Sequence, residues 1–356
     1  MTVEIVPEAE LETAREGLRE VRARGVRWLL DHVGDDGKPA AADLRNGYYR
    51  MPWTFALVGE REVAAQVMSW IERNALTATG DLREGVPREA FTSRWATYPH
   101  SLLAQGAWAL ERYDTALALV DTMRKSFQDP ETGGAFMERQ EARTGRQFVF
   151  PTAQLGLAAL ASGQSDVAQA AFGWFDRLWA AQPELPHVLY ASWGLNGLRT
   201  VADQDDEFIS RVDFREPRQA FYNPGISAAF LSRYYMVTRD ERAREIATGM
   251  LRLSASGTEA QYNHWESMQI CKFGWGSAMA AEIDPAGDHL KHVLRMARWY
   301  IDSQRPDGSW VPSGFLVAEP NDSHAIEKTA EHTLWVHMML TSLAAAADRG
   351  PVAAGQ

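Results

Sequence analysis

A helical unit with two unequal halves recurs along this chain, and it limits the possible folds more than any other feature. In each copy, a short helix rich in small or apolar residues meets a tight polar turn, and a longer amphipathic helix follows. Apolar residues recur at helical spacing, and convincing alternating strand patterns are few. Five copies are predicted, with short and long helices at 52–57 and 63–76, 101–110 and 115–127, 152–161 and 167–181, 226–236 and 242–254, and 271–281 and 289–303.

Two unpaired helices complete this pattern. The helix predicted at 7–32 has no short helix before it, and the one at 326–347 has no long helix after it. Helical hairpins that repeat with a period of about 50 residues are typical of an array or a ring. If the first and last helices pair, the chain forms an all-α (α/α)6 barrel, or toroid, with the short helices inside. We expect one toroid domain over 1–350 and a tail at 351–356, and a possible helix near 187–198 does not fit this ring.

The connections between helices differ in length according to their direction. Turns from a short helix to a long one have few residues, whereas the return connections are long and lie at 34–50, 77–98, 128–150, 200–222, 255–268 and 304–325. Long loops in a compact domain are often functional. These loops all lead into the N-termini of inner helices, where the helix dipoles are positive. We therefore expect the functional site at that mouth of the ring.

Composition argues against several kinds of partner. The net charge of −11 disfavours binding to nucleic acid or to an anionic membrane. Cys271 is the only cysteine, so no internal disulfide can form, and the N-terminus lacks the pattern of a secretion signal. No apolar run approaches the roughly 20 residues that span a bilayer. We expect a cytoplasmic monomer or homodimer that binds a hydrophobic small molecule.

The densest group of ionisable residues lies at the start of the fifth inner helix. His264, Glu266, Cys271 and Lys272 fall within nine residues. Burial and the helix N-terminus both disfavour charge on Lys272, which predicts a base or a proton donor. Cys271 at the same helix start suggests a thiol of low pKa. The structural alternatives are a salt bridge from Lys272 to a loop carboxylate and an inert, buried Cys271.

Other inner helices supply further candidates near the same mouth. Glu331 and His332 come early in the last helix. Because they are adjacent, only one of them can point fully inward. Glu331 is the preferred acid or base. His100 opens the second inner helix and is a third catalytic candidate. Aromatic residues at loop–helix junctions can line a ligand cavity or simply pack between helices. The predicted substrate-binding residues are Asp43, Tyr48, Tyr49, Trp53, Trp95, Glu138, Tyr222, Trp265, Trp275 and His332.

The sequence predicts neither a metal site nor a cofactor. A lone cysteine without convincing ligand spacing does not indicate a zinc site. His289 and His292 have a suitable spacing, but they lie on an outer helix.

One loop motif resembles a known superfamily. Residues 304–310, Gln-Arg-Pro-Asp-Gly-Ser-Trp, resemble the glutamine–tryptophan repeat of the terpenoid cyclase and protein prenyltransferase toroids, and 129–136 has a similar Asp/Gly turn with an aromatic residue. With the stretches 48–53 and 329–335, the whole pattern is similar to toroid proteins of natural-product gene clusters. The resemblance implies a toroid that handles hydrophobic small molecules.

Two finer resemblances concern catalytic acids. Residues 203–206, Asp-Gln-Asp-Asp, match the Asp-x-Asp-Asp acid of class II terpene cyclases, but they sit in an acidic connection, which is typical of a solvated loop. Asp43, Tyr48 and Tyr49 weakly resemble the acid–tyrosine stretch of linalool dehydratase/isomerase, a metal-free toroid enzyme. That enzyme uses a cysteine pair, whereas this chain has one cysteine.

Three functional hypotheses follow. The first is a metal-free cyclase, isomerase or dehydratase that uses acid–base chemistry on a terpenoid or polyketide in natural-product biosynthesis. The second is a carbohydrate-active toroid enzyme, a glycoside hydrolase, lyase or epimerase, whose paired carboxylates would come from Asp43, Glu138, Glu266 and Glu331. The third is a non-catalytic binding or scaffold protein.

Overall fold

Helices account for most of the structure, a computed structural model that describes residues 6–88, 90–139, 145–203, 207–263 and 270–349. In chain order they are α1 (Glu8–Leu30), α2 (Met51–Val58), α3 (Arg61–Asn74), α4 (Ala90–Arg94), α5 (Thr97–Ala109), α6 (Tyr113–Phe127), α7 (Val149–Ala161), α8 (Ser165–Ala180), α9 (Glu207–Ser210), α10 (Tyr222–Thr238), α11 (Glu241–Ala255), α12 (Lys272–Ile283), α13 (His289–Ser303) and α14 (Asp322–Arg349). Short 3-10 helices lie at Gly47–Arg50 and Glu259–Tyr262.

Six helices form a closed inner ring. Each contacts the next in the order α2, α5, α7, α10, α12 and α14, and α14 returns to contact α2. A second helix packs on the outside of each: α3 on α2, α6 on α5, α8 on α7, α11 on α10, α13 on α12, and α1 on α14. The predicted (α/α)6 toroid is therefore confirmed, including the pairing of the first and last helices.

The difference between the two kinds of helix follows from what they bury. The inner helix α7 is buried continuously from its first residue to Ala159, which requires apolar or small side chains all round. The outer helix α11 buries one face and carries Arg and Glu on the other. Within the inner ring, α10 and α12 touch at Gly225 and Gly276, where an added Cβ on Gly225 would overlap the backbone of Lys272. This contact fixes the first turn of α12 against α10.

The two loop motifs that resemble the glutamine–tryptophan repeat connect neighbouring helices of the outer ring. The amide of Gln304 donates to the carbonyls of Gly308 and Val21, so it ties the loop after α13 to α1. Gln128 makes the equivalent bond to the carbonyl of Gly133 and a longer one to that of Val167, which ties the loop after α6 to α8. These glutamines therefore link neighbouring outer helices.

The possible helix at 187–198 is wrong, since this segment forms strands. β2 (Val188–Tyr190) pairs antiparallel with β5 (Arg211–Asp213), and β3 (Ser192–Gly194) lies between β1 (Gln147–Phe148) and β4 (Gly197–Leu198). Residues Leu195 and Asn196 form the two-residue turn of a hairpin, closed by Gly197 at φ +102°. Among the described residues, none of the helices combines the length and apolar character needed to cross a bilayer.

A candidate active site built on buried charges

Five charged side chains meet inside the ring at the mouth where the inner helices begin. Arg50 ends the 3-10 helix that leads into α2, and Lys272 begins α12. Glu327, Lys328 and Glu331 lie in the second and third turns of α14, and Glu331 follows the other two by four and three residues, which brings all three to the same side of the helix. All five are buried or nearly so, the most accessible side chain being Lys328 at 14%. The mouth predicted from loop lengths thus contains a cluster of ionisable groups, the ion cluster below.

Glu331 is the centre of the ion cluster. Its Oε1 accepts hydrogen bonds from Lys272 Nζ at 2.6 Å and from the Tyr98 hydroxyl at 2.8 Å, and Arg50 lies at 3.4 Å. Its Oε2 accepts a bond from Lys328 Nζ at 2.8 Å. Burial alone would raise the pKa of Glu331, but the three neighbouring cations hold it well below its ordinary value. Glu331 is therefore a permanent carboxylate.

Arg50 joins Glu331 to the second carboxylate of the cluster. One guanidinium nitrogen donates to Glu327 Oε1 at 2.9 Å, and another donates to the hydroxyl of Tyr98 at 2.8 Å. The guanidinium also stacks over the rings of Tyr49 and Tyr98, 4.4 and 4.6 Å from their centroids. Together these contacts immobilise Arg50 and orient both carboxylates.

The lowered pKa values expected for Lys272 and Cys271 are both contradicted. Burial would lower the pKa of Lys272, but its neighbours Cys271 and Glu331 reverse this and leave the pKa raised, so Lys272 stays cationic. Burial, reinforced by the charge of Glu331, raises the pKa of Cys271 to about 11. The alternatives fit better: Lys272 forms an ion pair, with a carboxylate from a helix rather than a loop, and Cys271 is a buried neutral thiol.

Aromatic rings surround the cations of the ion cluster. Lys272 Nζ lies 5.2, 5.5 and 5.8 Å from the ring centroids of Tyr98, Phe150 and Tyr222. Trp95 packs against Phe150, and Tyr49 packs edge-on against Tyr98. The predicted wall residues Tyr49, Trp95 and Tyr222 therefore lie together beside the predicted catalytic residues Lys272 and Glu331.

A layer of tryptophans lies one helical turn below the ion cluster. Trp275 and Trp335 stack with centroids 4.2 Å apart, and Trp53 packs edge-on against both. Trp53 and Trp275 each follow a cation of the cluster by three residues, on α2 and α12, and Trp335 follows Glu331 by four on α14. Trp53 and Trp275 thus lie inside the barrel, below the mouth where they were expected.

Several predicted residues lie apart from the ion cluster. Asp43 is exposed and pairs with Lys38, Tyr48 packs edge-on against Trp70 of the outer helix α3, and Glu138 pairs with Arg146. His100 faces a loop, with Nε2 3.2 Å from Asp81 and Nδ1 2.7 Å from the carbonyl of Ala96. The structure thus gives Asp43, Tyr48, Glu138 and His100 partners outside the cluster.

Two predicted groups depend on parts of the chain that the structure describes incompletely. His264, Trp265 and Glu266 lie outside the described residues. In the acidic run at 203–206 only Asp203 is described, and its largely exposed side chain pairs with Arg199, as expected of a solvated loop.

Glu331 and His332 point in different directions, as their adjacency requires. Glu331 faces the centre, whereas the ring of His332 packs edge-on against Trp299, Tyr300 and Trp310. Ligand atoms of Cys271, Glu331 and His332 lie within 4.8 Å of one another. However, three cations already surround the carboxylate of Glu331, so this arrangement suits a divalent ion poorly.

Sequence reasoning missed three of the five residues of the ion cluster and their neighbour Tyr98. Arg50, Tyr98, Glu327 and Lys328 were not selected, although Arg50 lies beside the predicted Tyr49. The available signal was the spacing on α14, where Glu327 and Lys328 precede Glu331 by one helical turn. Nothing local identified Arg50, since its partner Glu327 is 277 residues away.

The fold is shared with enzymes of different chemistry. The chain superposes on a family 76 glycoside hydrolase from a bovine Bacteroides thetaiotaomicron strain (TM-score 0.61, 12% identity, 91% of this chain and 78% of that one). It also matches a D-mannose isomerase (TM-score 0.64, 9% identity, 95% and 99%). A third match is a type II terpene cyclase from Scytonema in complex with geranylgeranyl dihydroxybenzoate (TM-score 0.55, 12% identity, 94% and 99%). No protein-family model matches the sequence, and no curated protein sequence does. At these identities the matches establish the toroid fold and leave the substrate class open.

Proposed function

We propose that this chain is an enzyme that moves protons on a small molecule held at the mouth of the toroid. The ion cluster carries this proposal. Desolvating several charges costs stability, and a hydrophobic replacement of similar volume is often more stable. Buried ionisable groups with strongly perturbed pKa values cluster at functional sites. The aromatic wall beside them would exclude water and hold a substrate.

The proton-moving role fits Glu327 better than Glu331. Glu331 is bound by four donors and held ionised, which suits a residue that positions Lys272 and Arg50. Glu327 lies one turn nearer the N-terminus of α14, hence nearer the mouth, with Arg50 at 2.9 Å and Lys328 at 3.7 Å. In this proposal Glu327 accepts or returns the proton, and Lys272 and Lys328 stabilise negative charge that develops on a substrate oxygen.

We favour a cyclase, isomerase or dehydratase of a hydrophobic metabolite, such as a terpenoid or polyketide of natural-product biosynthesis. The rings of Tyr49, Trp95, Phe150 and Tyr222 beside the ion cluster offer apolar surface to such a ligand. The reaction would need neither a metal nor a redox cofactor, because proton transfer and electrostatic stabilisation suffice for these steps.

A carbohydrate-active isomerase or epimerase is the second candidate. The observation in its favour is the concentration of cationic and hydroxyl donors, which could bind sugar hydroxyls while the aromatic rings stack on the sugar. A glycosidase is less well supported, because hydrolysis needs carboxylates on opposite sides of the bond. The described carboxylates of the cluster, Glu327 and Glu331, share one face of α14.

Proton transfer can be tested without knowing the product. We would incubate the protein in D2O with separate panels of terpenoids, polyketides and aldoses, and measure deuterium uptake and new products by mass spectrometry. Wild type should label or convert a member of one panel. Glu327→Gln should lower the rate by about 10²–10⁴-fold, as expected for loss of a general base, whereas the matched control Asp43→Asn should match wild type. An equal rate in Glu327→Gln would refute the role of Glu327, and labelling of aldoses alone would favour the second candidate.

A further inference from the structure

Arg233 reaches the tryptophan layer from below. It lies in the last third of α10, and its guanidinium is 5.9 and 5.5 Å from the ring centroids of Trp53 and Trp275. One nitrogen donates a hydrogen bond to Gln105 Oε1 on α5 at 3.1 Å. A guanidinium has five N–H donors, and this is the one hydrogen bond Arg233 makes to the described residues.

The charge of Arg233 lacks a direct counter-ion. Within the described ranges, its guanidinium forms no ion pair with a carboxylate. Burial lowers the pKa of Arg233 to about 10, and Glu282 opposes this from a longer distance. Glu282 itself accepts a hydrogen bond from Ser342 at 2.6 Å. Arg233 is partly accessible to solvent, but no described carboxylate neutralises its charge directly, so an anion could do so.

Buried polar atoms without partners among the described residues lie on three other inner helices. Both amide atoms of Gln154, on α7, lack a hydrogen-bond partner in the described structure, as do the indole nitrogens of Trp275 and Trp335. These three side chains are at least 99% buried. Since buried polar groups are nearly always hydrogen-bonded, such atoms mark a place where a ligand or ordered water completes the structure.

These residues come from all six inner helices. Trp53 is on α2, Gln105 on α5, Gln154 on α7, Arg233 on α10, and Trp275 and Trp335 on α12 and α14. Arg233 is only half-buried even though it stacks over Trp53 and Trp275. Part of its side chain therefore borders open space. We call this set of residues the inner layer.

We propose that the inner layer binds an anionic group, a carboxylate or a phosphate ester, through Arg233, with an attached hydrophobic body against Trp53 and Trp275. A guanidinium binds both anions through paired N–H donors, and indole faces accept an apolar body. Gln154 and the indole nitrogens of Trp275 and Trp335 would supply the remaining polar contacts. This site is separate from the ion cluster, and it holds whether or not Glu327 moves protons.

The test measures binding and needs no turnover. Benzoate and phenyl phosphate are the anionic probes, and benzyl alcohol is the neutral one; each is titrated calorimetrically and used in thermal unfolding. A ligand of the folded state at ten times its dissociation constant should raise Tm of a chain this size by roughly 2 °C. We expect this for at least one anion with wild type and for neither anion with Arg233→Gln or Arg233→Met. The preferred anion tells whether the natural group is a carboxylate or a phosphate.

The matched control removes one arginine from the outer ring. Arg298→Met changes the net charge equally but acts on an exposed residue of α13 that pairs with Glu10, and it should bind the anions like wild type. Comparable anion binding by Arg233→Gln and wild type would overturn the proposal, since the anion would then sit elsewhere. Equal binding of benzyl alcohol and benzoate, or no binding by wild type, would also overturn it.

Discussion

Replacing Glu331 with glutamine should destabilise the protein more than any other single change in the ion cluster. The substitution keeps the shape but removes the charge that Arg50, Lys272 and Lys328 share. Breaking a buried ion pair typically costs about 3–5 kcal/mol. Because Glu327 still neutralises part of the charge on Arg50, we expect the lower end, about 3 kcal/mol. With an unfolding entropy of roughly 2.1 cal/mol/K per residue, this lowers Tm by about 4 °C.

The loss of stability caused by Glu331→Gln should depend on pH in a defined direction. The folded pKa of Glu331 lies well below its ordinary value, so the unfolded chain takes up this proton first as the pH falls. The stabilisation from Glu331 is therefore complete above the unfolded pKa of roughly 4.3 and is lost as the pH falls through that value toward the folded pKa. The difference in stability between wild type and Glu331→Gln should be constant from pH 8 to 6 and shrink below pH 4.

Chemical denaturation followed by circular dichroism, with parallel thermal scans, measures both effects. Lys272→Met is the matched comparison: it leaves Glu331 bound by Arg50 and Lys328 and should cost only about 1–2 kcal/mol. In the double variant, the two costs should sum to more than the measured value, because both changes break the same ion pair. A cost below about 1 kcal/mol for Glu331→Gln, or a larger cost for Lys272→Met, would refute the central role of Glu331.

Three further predictions concern single sites. Gly225→Ala should cost about 3 kcal/mol in denaturation, because the new methyl group overlaps the backbone of Lys272; stability equal to wild type would contradict the close contact of α10 with α12. Cys271 should react with iodoacetamide at pH 8 at least ~100-fold more slowly in the folded protein than in urea, because burial raises the pKa of its thiol to about 11; rapid labelling of the folded protein would contradict this. Asp43→Asn should change stability by less than about 0.5 kcal/mol, because Asp43 is an exposed partner of Lys38; a larger loss would reveal contacts that its position does not suggest.

The architecture was predictable because its determinants are local. Helical periodicity separates α7, which is largely apolar on every face, from the one-sided α11, and loop lengths identify the mouth. The segment at 187–198 was harder, since strands of two or three residues carry almost no periodic signal. Its identity depends on pairing with residues 147–148 and 211–213, which lie far along the chain.

The chemistry of the candidate site was less predictable because it depends on neighbours that are distant in sequence. The lowered pKa expected for Lys272 followed from burial and from the helix N-terminus, and burial does lower its pKa. The sign of the net pKa shift depends on the adjacent Cys271 and on Glu331, 59 residues away, whose Oε1 lies 2.6 Å from the lysine Nζ. Conversely, Glu331 was correctly chosen over His332 as the residue that points inward, where four donors surround its carboxylate.

Both described carboxylates of the ion cluster belong to the helix that closes the ring, and this sets the order in which the molecule can mature. Translation produces α1 to α13 before α14. During synthesis, Arg50 and Lys272 are therefore present before Glu327 and Glu331. Docking of α14 supplies the missing negative charge, packs against α1, and connects α12 to α2. A nascent or truncated chain that lacks α14 would expose both unneutralised cations and an open apolar seam, features by which cellular quality control could distinguish it from the finished protein.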